Sequence, residues 1–165
     1  MKLDITGDAQ ELAKVDVDFK KLITEIGLPE ERHRAPNLAT LIHIVVSQQI
    51  SLAAASSIWE KFTEQLNDIS PNNIIRLGEQ GLRNIGFTRS KSTATLNLCQ
   101  HMINGTFEID AMFSMDDNNA KKYIMRLSGF GEWSASIFLI FCLGRPDIWP
   151  SGDIALQEAT KSFKK

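Results

Sequence analysis

Cysteine is scarce in this 165-residue chain, with only Cys99 and Cys142. They form no CxxC pair, and two thiolates cannot hold a four-cysteine iron–sulfur cluster. Both lie inside apolar helical patterns, which implies buried free thiols in a reducing compartment rather than a disulfide framework. The three histidines, His33, His43 and His101, lack metal-ligand spacing, so His43 reads as a core or groove residue. No apolar run is long enough to span a bilayer. The opening MKLDITGDAQEL has no apolar core of the secretory-signal type. Sustained period-two alternation is missing, and with it the signal for strands. Excess positive charge is missing too: 18 Lys plus Arg face 20 Asp plus Glu, for a formal charge of −2. Such a chain does not hold nucleic acid by bulk electrostatics. Any DNA contact must be local, through a few cations and oriented backbone amides.

What is present is helix. The hydrophobic fraction of 43% and charged fraction of 23% are those of an ordinary globular protein, and the length suits a single domain spanning residues 1–165. Asp8 with Glu11 resembles a capping box, and Leu12, Val15, Phe19, Leu22, Ile23 and Ile26 share one face of a helix that Gly27 and Pro29 stop. Asn37 is placed to cap LATLIHIVVSQQ, and Ser51 to cap a helix carrying Leu52, Ala55, Trp59, Phe62 and Leu66 on one face. Ser70-Pro71 opens a short helix ending near Gly78. Another ends at Ile85-Gly86, and a further one runs to Asn104-Gly105. Asp116 caps DNNAKKYIMRL, the apolar EWSASIFLIFCLG follows, and a last helix starts at Asp153. The expectation is an all-α fold of nine or ten short helices.

Two motifs carry chemistry. In the helical hairpin spanning 116–144, Leu127-Ser128-Gly129-Phe130-Gly131 joins two helices through a turn with two glycines. Glycine permits positive φ and leaves the backbone uncovered. The following helix then presents free amides of the kind that suit a phosphate. Taken alone, an LxGxG turn favours a plain connection between helices with a glycine stop. A fainter echo, NIGFTRSKSTA, puts Gly-Phe in a second tight turn. The other motif is Trp149-Pro150-Ser151-Gly152-Asp153, a loop that delivers a carboxylate to the first turn of a helix. Taken alone, Asp153 is a good N-cap.

Four segments in order, LIHIVVSQQIS, GLRNIGFTRSKSTA, RLSGFGEWSAS and the proline-led loop ending in Asp153, make residues from about Asp18 to Thr160 resemble the helix-hairpin-helix DNA glycosylase superfamily. Within it the chain is similar to the DNA-3-methyladenine glycosylase II branch. The resemblance implies base excision repair of double-stranded DNA containing damaged bases, with the target nucleotide flipped out and its N-glycosidic bond hydrolysed. Asp153 stands where the family has its catalytic carboxylate. Its implied work is to stabilise an oxocarbenium-like sugar and to orient or deprotonate water. Lyase relatives carry a lysine where this chain has Trp133, which implies a monofunctional enzyme that needs no cofactor.

The same resemblance implies further roles. Trp133, Ile137 and Ile154 would line the base pocket, the indole suiting a cationic alkylated purine. Gly129, Phe130 and Gly131 would hold the DNA backbone. Gln48 and Gln49 would sit at the minor groove, with Gln49 aligned to the residue that fills the gap left by the flipped nucleotide. Read from their own place after the second Gly-Phe turn, Arg89 and Lys91 either touch phosphates or form a merely solvated face. No metal is required, although the carbonyls of Met125, Leu127 and Phe130 match a monovalent-cation site of this hairpin.

The chain departs from the family at Gly152, where many relatives are acidic. It departs again at Ile137 and Ile154, where some have tyrosine, which implies a plainer, more aliphatic pocket. The family also continues through further helices, so the fold is expected to lack C-terminal helices. The expected state is a monomer away from any membrane, in the cytoplasm with the nucleoid of a prokaryote or in the nucleus of a eukaryote. A non-catalytic or impaired DNA-binding relative would bind duplex without releasing base. A helical interaction module would do neither.

Overall fold

The structure is a computed structural model that describes residues 4–163. Among those residues are nine α-helices and a short 3-10 turn at Asp110–Ser114, and no strand. Helix α1 spans Ile5–Val15, α2 Val17–Ile26, α3 Leu38–Ser47, α4 Leu52–Gln65 and α5 Pro71–Ile85. Then come α6 (Arg89–Ile103), α7 (Asp117–Met125), α8 (Glu132–Phe141) and α9 (Ile154–Phe163).

The centre is α3. Leu38, Leu41, Ile42, Ile44, Val45 and Val46 are all buried, because a helix this apolar all round has no face to offer water. It packs between α4, α6 and α8. Phe62 of α4 is fully buried beside Trp59 and Phe87, with ring centroids 5.3 and 5.5 Å away. Cys99 and Cys142 are free and buried in the core, and burial pushes both thiols up to about 12.

The capping residues act as their side chains dictate. Asn37 accepts the Thr40 amide, Ser51 the Ala54 amide and Asp116 the Asn119 amide. Ser70 makes no side-chain cap bond, and Pro71 alone opens α5. Helix α5 breaks at Gly78 (φ 70°), which divides it where two short helices are expected.

The N-terminal reading needs correction. The single helix expected from Asp8 to Ile26 is two. Asp4 caps the first, and Asp8 lies inside its first turn with its amide on the Asp4 carbonyl at 3.0 Å. Asp16 then leaves the helix with an extended backbone, and its carboxylate accepts the amides of Asp18 and Phe19 to start α2. The apolar spacing runs through the break, so periodicity alone does not reveal it.

Candidate DNA interface and active-site cleft

The α7–α8 hairpin is anchored from below. Leu127 and Phe130 are 3% and 4% exposed, while Ser128, Gly129 and Gly131 face solvent. The Phe130 ring is therefore a core anchor and not a DNA contact; only its backbone is near the surface. Gly129 is obligatory on two counts. Its φ is +83°, and a Cβ there would lie 2.5 Å from the Cβ of Ala94 on α6. Asn97, also on α6, accepts the Ser128 amide at 3.4 Å. Gly131 caps α8 without a side-chain bond and has open space around it, leaving first-turn amides uncovered for an anion. The Leu127 carbonyl accepts the Phe130 amide at 3.2 Å and retains a second lone pair.

Asp153 sits in a cleft of about 620 Å³ between the hairpin, the end of α3 and the start of α9. The tight loop before it is fixed by the Asp153 amide on the Pro150 carbonyl at 2.9 Å. One carboxylate oxygen accepts the Leu156 amide at 3.0 Å, so the residue is an N-cap. The other accepts the Trp133 indole N–H at 2.9 Å. The indole bond, then the Leu156 amide, hold the Asp153 carboxyl below the usual carboxylate range. A Cβ added at Gly152 would meet the Trp133 Cβ at 3.9 Å, an ordinary contact, so the loop does not depend on glycine there for space. A single aspartate thus starts a helix and faces an open cleft as a stabilised anion.

The three expected base-pocket residues do not share one cavity. Trp133 borders both the Asp153 cleft and a smaller cavity of about 230 Å³ behind it. Ile137 lines that second cavity and not the Asp153 cleft, together with Arg34, His43 and Phe141. Ile154 lines only the outer cleft and is 74% exposed, so it is a rim residue. His43 has its Nδ1 3.2 Å from the Arg34 guanidinium and meets the Trp59 ring edge-on at 4.9 Å. Burial, then Arg34, lower its pKa and favour the neutral imidazole.

Gln48 and Gln49 line the cleft but differ in their surroundings. The Gln48 amide donates to the Gly129 carbonyl at 2.9 Å and the Ser134 hydroxyl at 2.8 Å, which ties α3 to the hairpin. Gln49 is exposed and has φ +56°, alone among described non-glycine residues in the left-handed region. That conformation is disfavoured by roughly 1–2 kcal/mol per residue, and such strain concentrates at functional sites. The Lys91 ammonium donates to the carbonyls of Val46 (2.7 Å) and Gln48 (2.9 Å), which occupies two of its three donors. Burial lowers its pKa. Arg89 is exposed at the start of α6 with only a loose pairing to Glu79 at 3.6 Å. Sequence reasoning missed Ala94, Asn97 and Ser134, which support the hairpin and carry no motif of their own.

A helical hairpin beside a cleft with an aspartate at a helix start defines a helix-hairpin-helix glycosylase fold. The solved Schizosaccharomyces pombe 3-methyladenine DNA glycosylase Mag1, in complex with abasic DNA, shares that fold. Its TM-score is 0.86 at 23% identity, over 96% of this chain and 81% of that one. The family model described as HhH-GPD superfamily base excision DNA repair protein matches residues 42–164, and the chain belongs to that family. The Bacillus subtilis protein YfjP is 30% identical over 129 residues, 73% of this chain and 45% of its own. A DNA-3-methyladenine glycosylase of Bacillus subtilis is 29% identical over 132 residues, 73% of this chain and 44% of its own. The chain thus spans under half the length of these two relatives.

Proposed function

We propose that this chain is a monofunctional DNA glycosylase of the 3-methyladenine glycosylase II type, which hydrolyses the N-glycosidic bond of alkylated purines in double-stranded DNA. The observation that carries the reading is the Asp153 carboxylate, held anionic by the Trp133 N–H in an open cleft beside the hairpin. The hairpin amides and Gly131 grip a backbone phosphate, and the flipped nucleotide enters the cleft. As the C1′–N bond lengthens, positive charge grows on the sugar and Asp153 opposes it. Water, oriented or deprotonated by the same carboxylate, adds to C1′, the base leaves with the bonding electron pair, and an abasic site remains.

No lysine lines the cleft, and the Lys91 ammonium in the neighbouring groove is engaged by two carbonyls. An imine to the sugar has no amine to form from, which favours water as the nucleophile. The similarity to the Bacillus subtilis DNA-3-methyladenine glycosylase supports an alkylated purine as the base. The test is release of 3-methyladenine and 7-methylguanine from methylated duplex by the wild type and by Asp153→Asn. At 4 Å and an effective dielectric near 20, a carboxylate stabilises a unit positive charge by about 4 kcal/mol, or about a thousandfold in rate. Release of that order lost in the variant supports the assignment, whereas undiminished release overturns it.

A further inference from the structure

We propose that Lys91 is a positioning residue that clamps the turn carrying Gln49 at a fixed separation from the hairpin, rather than a phosphate contact. This rests on reading Gln49 as the group that enters DNA. The last carbonyls of a helix have no partner within it, and the negative end of its dipole favours an ammonium. Lys91 meets both needs for α3 through Val46 and Gln48. The Gln48 carbonyl belongs to the same planar peptide as the Gln49 nitrogen. Holding that carbonyl fixes the plane from which Gln49 departs at φ +56°.

Gln48 itself is gripped from its other side through its side chain. The Gln48 side chain bonds Gly129 and Ser134, so α6 holds its carbonyl while the hairpin holds its amide group. Lys91 is itself set by its backbone amide on the Thr88 hydroxyl at the start of α6. One turn further along α6, the Ala94 methyl occupies the space over Gly129. A single helix therefore touches both the Gln49 turn and the phosphate-facing hairpin. Gln49, Lys91 and Gly129 line one groove of about 270 Å³.

A clamp and a phosphate contact separate cleanly in solution. The probes are a duplex with a tetrahydrofuran abasic analogue beside 2-aminopurine, and the undamaged duplex titrated across salt. With Lys91→Met, preference for the abasic site is expected to fall about tenfold, with loss of the 2-aminopurine signal and an unchanged salt slope on undamaged DNA. Gln49→Ala should show the same loss, and the double variant no more than either single one, because Lys91 acts through Gln49. A phosphate ligand would instead weaken binding to all duplexes and reduce the salt slope by about 1. Should Lys91→Met fail to fold, Lys91→Gln removes the charge while keeping a donor, and a retained slope supports the clamp. A reduced slope, additive losses in the double variant, or a wild type whose site preference ignores Gln49 would overturn it. The readout is binding, so specific binding without base release leaves the clamp standing and sinks the glycosylase assignment.

Discussion

Replacing Trp133 by Phe keeps an aromatic ring beside the cleft and removes one N–H. In the wild type that N–H lies 2.9 Å from an Asp153 oxygen, and the Leu156 amide at 3.0 Å from the other remains in the variant. A hydrogen bond to a charged group contributes about 1.5–3 kcal/mol. Asp153 is half-buried and partly screened by water, so about 1 kcal/mol is the expected loss. In rate this is about fivefold. The sign of the pH effect follows from the depressed carboxyl. Its stabilising contribution is present above the unfolded pKa and is lost as pH falls through the folded one. Removing the leading cause of the depression raises the folded pKa, so the acid limb of the pH–rate profile shifts to higher pH. The stability gap between variant and wild type should be full at neutral pH and close in acid. The assays are single-turnover base release across pH and melting temperature over the same range. An acid limb that stays in place, or a variant as inactive as Asp153→Asn, would refute the idea that the indole orients and ionises the carboxylate.

Gly129→Ala combines a positive φ with a Cβ 2.5 Å from that of Ala94, and overpacking of this kind destabilises by about 1–3 kcal/mol before backbone strain is added. A lower melting temperature together with weakened duplex binding is expected; unchanged melting would show that the hairpin relaxes freely. Cys99 and Cys142, buried and raised to about 12, should resist iodoacetamide until the protein unfolds. Rapid labelling of the native protein would contradict the packing of α6 and α8 described here.

Much of the fold is legible because helix starts and stops are local chemistry. Asn37, Ser51 and Asp116 bond amides three residues on, and Gly78 and Gly86 end helices by taking positive φ. The placement of Asp153 at a helix start follows from the same rule. The break at Asp16 was hidden because the apolar face continues across it, and only a capping bond distinguishes one helix from two. What tertiary structure alone decided is which polar groups meet. Lys91 and the Gln48 carbonyl are 43 positions apart, and the Gln48 side chain and Ser134 are 86 apart. A lysine reads the same in sequence whether water, a phosphate or two helix-end carbonyls surround it. The helix that carries it has to be packed against α3 before its amine has partners. Ile137 and Ile154 likewise follow Trp133 and Asp153 closely in the linear pattern, yet they line different cavities, both bordered by Trp133. Sequence spacing sets a residue's position along its helix, whereas helix packing sets which cavity the side chain enters.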